Sequence, residues 1–365
     1  MKLSDREWKE FYIGDLFLVR RPAARNKDFY EEGDVPFVAS GSTNNGVMKC
    51  CKAQEDEKLD EGKCITVSPV DGSAFYQPYS FLGRGGAGSS ILMLYKQDLN
   101  LYIGQFIAKM IANTCMSKYT YGHMGNKDSI KRERIMLPVN DDDEPDYQFM
   151  EDYIKELMAA KRKQYQNYVE KRLAELNIER SGGYERYLDK KDWQDYTLTG
   201  KNGLFPIQAT STGIDAIRLK EDDKTIVPYI TRTETNNGIA KFISSKNYDY
   251  GKDTKKCITI GLDTQTAYWQ TFDFVTGQNI HVLRSDLLNL YSGQFIAMIL
   301  RGQMKSKFNW GGNGATLGRL KKLKIMLPIN NDKEPDYEFM EAYGRRMMAK
   351  KYLQYLHYLS KIIAK

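Results

Sequence analysis

The chain contains one unusual passage twice, and this repetition limits its architecture more than any other feature. Residues 135–153 read IMLPVNDDDEPDYQFMEDY, and residues 325–343 read IMLPINNDKEPDYEFMEAY. Extended to 135–169 and 325–359, the two passages are identical at 20 of 35 positions. A period near 190 residues is far longer than the roughly 20–50 residues of solenoid repeats. The sequence therefore predicts a duplicated domain.

Further matches extend the repeat across both halves. LYIGQFIA at 101–108 matches LYSGQFIA at 290–297, the tetrapeptide KCIT occurs once in each half, and each half opens on a tryptophan, Trp8 or Trp193. A chain of 365 residues is long enough for two domains that each bury a core of their own. We therefore expect tandem copies of one fold.

Each half has the same predicted order of elements. Short strand-like runs such as KCITV and SSILMLY are separated by Gly-, Asn- and Asp-rich turns. One amphipathic helix follows, then a loop rich in glycine, lysine and aromatic residues, then a strand that ends in IMLP. The pattern predicts an α+β protein made of two mixed α/β domains.

A long helix is predicted after each domain. Residues 145–180 contain no glycine and only the opening proline, and SGG at 181–183 would end the helix. The acids and proline of DDDEPDY suit a first helical turn, where carboxylates face the positive end of the dipole. Thirty-six residues at roughly 1.5 Å each would give a rod of about 54 Å. The second copy would run from Pro335 to the end of the chain.

Each long helix carries an apolar stripe, and a lone helix would leave that stripe uncovered. We therefore expect the two helices to pair antiparallel as a spacer. The predicted contact residues are Met150, Ile154, Leu157, Tyr168 and Leu176 in the first helix, and Met340, Tyr343, Met347, Leu356 and Leu359 in the second. The expected boundaries are 1–144 and 182–334 for the domains, and 145–181 and 335–365 for the helices.

Composition excludes several classes of protein. Charged residues make up 28% of the chain and no apolar run approaches the roughly 18 residues of a membrane span. The charged start MKLSDREWKE does not look like a secretory signal. Five cysteines without CxxC spacing and only three histidines argue against a zinc site and a disulfide framework. A reducing cytoplasm is the expected location.

Catalytic motifs are missing from the sequence. It has no phosphate-binding loop, no H-E-x-x-H and no Asn/Asp-Pro-Pro-Tyr/Phe motif. His123, His281 and His357 occupy non-equivalent positions in the two halves. The acids of PDYQFMED are interpreted as helix-start chemistry, and GRGGAG at 83–88 as a tight turn. We expect no catalytic residue and no metal ligand.

Positive charge collects in the same loop of each half. The net charge is +7, and residues 301–327 hold seven Lys or Arg and no acid, while 113–135 hold five with two acids. Basic side chains neutralise phosphates, and Asn, Lys and Arg can bind base edges. A solvated lysine-rich surface is the alternative for one such loop, and its recurrence favours nucleic acid. The predicted contacts are Lys118, Tyr119, Tyr121, His123, Asn126 and Lys127, and Lys305, Lys307, Phe308, Asn309, Trp310 and Asn313.

The Asn-Asn-Gly segments have two interpretations that stay open. Asn-Asn-Gly is a strong turn signal, which alone could explain it. The same side chains could instead face a base or a phosphate. The residues concerned are Ser40, Asn44 and Asn45, then Arg232, Asn236 and Asn237, with Arg84 as a further candidate contact.

The ordered set of motifs resembles a known family. Trp-x-x-Phe-x-Ile-Gly-Asp-Leu-Phe from Trp8, then Asn-Asn-Gly, Tyr-Ile-Gly-Gln-Phe-Ile, a basic Tyr-x-Tyr-Gly loop and Ile-x-Leu-Pro before a long helix resemble the specificity subunits of type I restriction-modification systems. The order is also similar to the target-recognition subunits of multisubunit systems that cleave and methylate. WQDYTLTGKNGLF in the second half lacks Ile-Gly-Asp-Leu-Phe, so its first strand is expected to differ.

The resemblance implies a function. Each half would be a target recognition domain that reads one part of an interrupted double-stranded DNA site. The paired helices would set the separation and dock the methyltransferase subunits, two of them, and a restriction subunit in systems that cleave. Adenine-N6 methylation in such phage-defence systems uses S-adenosylmethionine in the partner, so this chain would be no enzyme and hold no cofactor. A duplicated protein- or RNA-binding scaffold is the alternative, and a nuclease is a weaker one.

Overall fold

The computed structural model of the chain describes residues 1–86, 88–176, 188–308 and 314–363. The chain divides into two compact units, Met1–Tyr165 and Gln166–Lys365. In the described part of the chain, no helix combines the length and the apolar character needed to cross a membrane.

The first half follows the predicted order of short strands, a central helix and a long helix. Its strands are β1 (Trp8–Tyr12), β2 (Leu18–Arg20), β3 (Glu32–Val38), β4 (Val47–Cys51), β5 (Cys64–Val67), β6 (Ala74–Gln77), β7 (Leu82–Gly83), β8 (Leu92–Tyr95) and β9 (Arg134–Pro138). Its helices are α1 (Ile13–Leu16), α2 (Leu101–Cys115), α3 (Lys127–Arg132) and α4 (Tyr147–Leu176).

The second half repeats these elements nearly one for one. Its strands are β10 (Trp193–Thr197), β11 (Ile207–Ala209), β12 (Thr225–Ile230), β13 (Ile239–Ser244), β14 (Cys257–Gly261), β15 (Thr266–Gln270), β16 (Val275–Thr276), β17 (Ile280–Leu283) and β18 (Lys324–Pro328). Its helices are α5 (Leu290–Lys307), α6 (Leu317–Leu320) and α7 (Tyr337–Ile363).

The two halves share one sheet topology. The first has a pair β1-β9, a four-stranded sheet in the order β2-β8-β5-β6 and a three-stranded sheet in the order β4-β3-β7. The second has β10-β18, β11-β17-β14-β15 and β13-β12-β16, which is the same arrangement. The predicted duplication of a mixed α/β domain is therefore confirmed, and β10 keeps its place although its sequence departs from the first copy.

The repeated IMLP passage closes each domain as a half-buried strand. In β9, Ile135 and Leu137 are fully buried while Met136 between them is exposed, as expected of alternating side chains. Trp8 pairs with Pro138 across β1-β9, and Trp193 pairs with Pro328 across β10-β18. The first and last strands of each copy thus lie side by side and bring the end of the domain back to its start.

The central helix of each domain lies directly on its four-stranded sheet. A β-carbon at Gly104 in α2 would lie 2.2 Å from the ring of Tyr76, and one at Gly293 in α5 would lie 2.2 Å from Trp269. Asn100 caps α2 through bonds from the amides of Tyr102 and Ile103, at 2.9 and 3.0 Å. Glycine is required at positions 104 and 293, because a side chain on the helix at either position would overlap the aromatic ring of the sheet.

The acidic passage before each long helix forms a turn rather than a first helical turn. The Asn140 side chain accepts bonds from the amides of Asp142 and Glu144, at 3.1 and 3.0 Å, and Asp143 has a φ of 64°. Only Asp146 serves as the cap, accepting from the Phe149 amide at 2.9 Å. Asn330 and Asp336 repeat this arrangement. The expectation for the earlier acids was wrong because an asparagine turn takes precedence there.

The first turns of the long helices belong to the domain cores. Met150 and Met340 are fully buried in the cores of their own units, and Ile154 and Tyr343 pack against the same cores. The sequence assigned these four residues to helix pairing. The placement differs because the starting turns of an amphipathic helix also cover the domain from which the helix leaves.

The end of α4 contacts α7 within the second unit. The Tyr168 and Tyr352 hydroxyls lie 3.4 Å apart, Arg172 reaches the Met348 sulfur at 3.9 Å, and Leu176 is buried in a cluster with Ala349. From Tyr168 to Arg172 the partner on α7 changes from Tyr352 to Met348, so the two segments are antiparallel here. The predicted residues 177–180 of the first helix lie outside the described residues.

The remaining predicted stripe residues are more open. Leu157 is exposed, while Met347, Leu356 and Leu359 are half-buried. Met347 lines an apolar cleft of about 450 Å³ between α5 and α7 in the second unit.

Candidate nucleic-acid interface

The Asn-Asn-Gly segments are tight turns between two strands of the three-stranded sheets. Asn44, Asn45 and Gly46 have φ values of 51°, 54° and 73°, and the equivalent residues Asn236 and Asn237 have values of 50° and 55°. Asparagine and glycine tolerate this left-handed backbone better than other residues. The side-chain Nδ2 of Asn44 also donates to the Val47 carbonyl at 2.9 Å. Turn chemistry therefore accounts for part of the repeated motif.

Each of these turns is fixed to the four-stranded sheet by the same side chain. Gln77 donates from Nε2 to the carbonyl of Asn45 and to the hydroxyl of Thr66, both at 2.9 Å. Gln270 does the same to Asn237, at 3.0 Å, and to Thr259, at 2.9 Å. These bonds hold each turn in place, and its asparagine side chains are exposed at the surface.

The sequence predicts a tight turn at residues 83–88, where Gly83 ends β7 and residue 87 lies outside the described residues. Gly86 and Gly88 have φ values of 95° and 81°. Arg84 donates its guanidinium to the Ser89 hydroxyl, and Ser40 donates to the Ser89 carbonyl at 3.2 Å. The structure therefore brings two predicted contact residues, Ser40 and Arg84, together at one serine.

Tyr119 in the first basic loop is a core residue and not a surface contact. It is 2% exposed, and a β-carbon at Gly125 would lie 2.3 Å from its ring. Burial raises the pKa of its phenol. The prediction that Tyr119 contacts DNA is contradicted, because this side chain fills space under the loop.

Other members of the first loop are available at the surface. Tyr121 is 84% exposed, and His123 and Lys127 are also exposed. Asn126 caps α3 by accepting from the amides of Asp128 and Ser129, both at 2.9 Å. Lys118 forms an ion pair with Glu133. Asn126 and Lys118 therefore have structural tasks besides any contact with a ligand.

Acidic partners accompany the predicted contacts of the second unit. Arg232 pairs with Asp263, and this hydrogen bond lowers the pKa of the carboxyl. Lys305 lies 3.3 Å from Glu234. Phe308 ends α5 and packs against the core, and Lys307 is exposed. Asn309, Trp310 and Asn313 lie outside the described residues.

The acids Asp263 and Glu234 were missed because sequence reasoning treated the basic segments alone. Glu234 could have been noticed two positions after Arg232, but Asp263 lies 31 residues away and carries no local signal. Together with Arg232 and Lys305, these two acids form ion pairs that hold the side chains in place. A phosphate or base approaching Arg232 or Lys305 must exchange with these carboxylates.

Possible metal ligands and three of the cysteines can be located among the described residues. Among the described residues there is no group of three or more His, Cys, Asp or Glu that could hold a metal ion. Cys64, Cys115 and Cys257 are buried and free, and burial raises the pKa of each thiol to about 12. They are protonated packing residues.

Comparison with known proteins finds one family in both halves. The domain described as "Type I restriction modification DNA specificity domain" matches residues 5–167 and again residues 190–354. A curated protein of Heyndrickxia coagulans, the specificity subunit of the type II restriction enzyme BgcI, is 26% identical over 93% of this chain and 94% of its own length.

Two solved structures are also similar. The S subunit of a type I restriction-modification system from M. genitalium is 14% identical with a TM-score of 0.47, covering 99% of this chain and 96% of that one. The HsdS subunit of Thermoanaerobacter tengcongensis is 12% identical with a TM-score of 0.31, covering 97% and 91%.

Proposed function

The chain belongs to the type I restriction-modification DNA specificity family, and from this membership we propose that it reads an interrupted DNA site, one half with each unit. It is the DNA sequence-recognition subunit and not the catalytic subunit of such a system. The proposal adds two features to this role: the division of the DNA site into two half-sites, and the partner subunits that act on it.

The single observation that carries the proposal is duplication of the scaffold with divergence of its surface. Both halves repeat the sheet order and the glutamine-anchored Asn-Asn-Gly turn. Around that turn the side chains differ, with Ser40 and Ser42 in one copy and Arg232 and Glu234 in the other. A shared frame with unlike contact groups supports recognition of two unlike DNA sequences, because base contacts and not phosphate contacts carry sequence information.

The long helices support a spacer role. Helix α4 has 30 residues, which corresponds to about 45 Å and exceeds one turn of DNA at about 34 Å. We propose that α4 and α7 separate the half-sites and dock two adenine-N6 methyltransferase subunits, which bind S-adenosylmethionine. A restriction subunit would join in a system that cleaves, in the cytoplasm where the DNA lies.

The proposal is tested by reconstituting the chain with its methyltransferase partner and mapping N6-methyladenine on a plasmid library. The expected product is a two-part site with a fixed, non-specific spacer. Methylation of one continuous short site would contradict the two-unit proposal. Metal-dependent cleavage by the isolated chain would establish the nuclease alternative instead.

Variants assign the halves to the units. Lys127→Ala should weaken recognition of one half-site and Lys305→Ala the other, since each lysine is exposed in a different unit. Lys190→Ala, an exposed lysine outside the long helices and the basic loops, is the matched control. Equal loss on both halves from either variant would indicate one composite surface.

A further inference from the structure

A cavity of about 300 Å³ lies in the first unit beside the Asn-Asn-Gly turn. The turn, strand β6 and helix α2 form its walls. Its apolar lining includes Phe75, Ala108, Ala112 and Met116. The volume lies at the lower end of the roughly 300–1,000 Å³ typical of small-ligand sites, and it suits one planar ring.

Polar groups also line this cavity. Asn45 comes from the turn, Gln105 and Lys109 from α2, and Ser42 from the loop before the turn. Asparagine, glutamine and lysine are the side chains that hydrogen-bond base edges. An apolar lining with a few amides and one ammonium group matches a nucleobase better than an inorganic anion.

The wall that carries Asn45 is held in position. Gln77 binds the Asn45 carbonyl at 2.9 Å, and the Ser73 hydroxyl donates to the Gly41 carbonyl at 2.9 Å. Both bonds tie the loop to the sheet, so the cavity exists before any ligand arrives. Such preorganisation lowers the cost of binding.

At four of the positions that line the cavity, the second unit holds a larger side chain than the first. The repeat aligns Ser42 with Glu234, Phe75 with Tyr268, Ala112 with Arg301, and Met116 with Lys305.

These four residues are linked by contacts between successive pairs. The Arg301 guanidinium lies 5.1 Å from the centre of the Tyr268 ring, and the Tyr268 hydroxyl donates to the Glu234 carbonyl at 2.6 Å. The Lys305 ammonium lies 3.3 Å from the Glu234 carboxylate. The turn is therefore fastened to α5 by charged and aromatic groups where the first unit has open space.

We propose that the cavity of the first unit is a base-reading site that receives the edge of one nucleobase of the first half-site. Asn45 and Gln105 supply hydrogen bonds, and Ala112 and Met116 keep the space open. In the second unit, larger side chains stand at four of the positions that line this cavity in the first. This inference rests on the proposed function, because it names the residues that give one half-site its sequence.

The test uses the complex of the full chain with its methyltransferase partner, and measures methylation of sites changed at one base at a time. Asn45→Gly removes the amide while glycine keeps the left-handed backbone. It should reduce discrimination about ten-fold at one position of the first half-site, as expected for a lost base contact. Asp56→Gly is the matched control, because Asp56 is an exposed residue with the same left-handed backbone, at a φ of 60°, and does not line the cavity; it should leave discrimination unchanged.

A second variant fills the cavity. Ala112→Arg introduces the residue of the second unit and should abolish recognition at the same base position, while Asn113→Arg adds the same charge on the exposed neighbour. Thermal melting of each variant reports its folding. If Ala112→Arg is unfolded, the Asn45→Gly result decides.

The outcomes separate the two proposals. A wild-type complex that methylates a continuous site contradicts the proposed function. A two-part site with unchanged specificity in Asn45→Gly contradicts only the pocket. Uniform weakening at every position of the first half-site would identify a backbone contact and would also overturn the base-reading site.

Discussion

The ring of Phe295 in α5 meets the ring of Tyr343 in α7 edge-on, with centroids 5.4 Å apart and planes at 86°. Phe106 and Tyr153 repeat this contact in the first unit, at 5.9 Å and 88°. The ring of Trp193 also stacks on Phe295, with centroids 6.3 Å apart. Tyr153 and Tyr343 belong to the repeated passage, so this passage helps to fix each long helix to its domain, as the proposed spacer role requires.

Truncating the joint should destabilise the second unit. Phe295 is 3% exposed, so Phe295→Ala is expected to cost about 3–5 kcal/mol of unfolding free energy. Tyr358→Ala on the exposed part of α7 is the control, and it should change stability by less than about 0.5 kcal/mol. Urea unfolding of both variants measures the difference. Equal values would mean that the rings do not hold the helix.

Two glycines of α5 should respond in opposite directions to alanine. A β-carbon at Gly293 would lie 2.2 Å from the Trp269 ring, whereas one at Gly302 would have no atom within 4 Å apart from its chain neighbours and the backbone of its own helix. Gly293→Ala should therefore destabilise by about 1–3 kcal/mol through overpacking. Gly302→Ala should stabilise by up to about 1 kcal/mol, because glycine is unfavourable inside a helix. Thermal unfolding distinguishes them, and stabilisation by Gly293→Ala would refute the close packing of α5 on β15.

Tyr119 and Tyr121 should separate stability from DNA binding. Tyr121→Ala is expected to weaken DNA binding by the complex without changing its melting temperature, since the side chain is 84% exposed. Tyr119→Phe keeps the buried ring and removes only its hydroxyl, so stability should change by no more than about 1.5 kcal/mol, and DNA binding should be unchanged. Fluorescence anisotropy with labelled DNA and thermal melting measure the two effects. Weaker DNA binding by Tyr119→Phe would indicate that the Tyr119 hydroxyl contacts DNA after all.

Features encoded by local patterns were predictable from the sequence. The order of strands and helices follows from the spacing of apolar residues, and the duplication follows from repeated passages such as LYIGQFIA and LYSGQFIA. The Asn-Asn-Gly turns follow from the backbone preferences of these residues. These properties depend on neighbours in the chain, so one sequence is enough.

Features that depend on tertiary contacts were not predictable. Tyr119 and Tyr121 lie two positions apart in the same basic loop, and only the close approach of Gly125 buries one of them. The acids of DDDEPDY resemble a helix start until the Asn140 side chain forms its turn. The cavity beside Asn45 arises where a loop, a strand and a helix meet. None of these contacts leaves a periodic signal.

The ion pair of Arg232 and Asp263 should make a contribution to stability that depends on pH. The hydrogen bond from Arg232 lowers the pKa of Asp263 in the folded chain, so folding gains from the ionised carboxyl above its unfolded pKa of about 3.9. That gain is lost as the pH falls through the folded pKa. Asp263→Asn should therefore cost less than about 1 kcal/mol at pH 7, because the pair is partly exposed, and the cost should shrink towards zero at pH 3. Urea unfolding at pH 7, 5 and 3, with the exposed Asp286→Asn as the control, measures it. A cost that grew on acidification would contradict the sign of the shift.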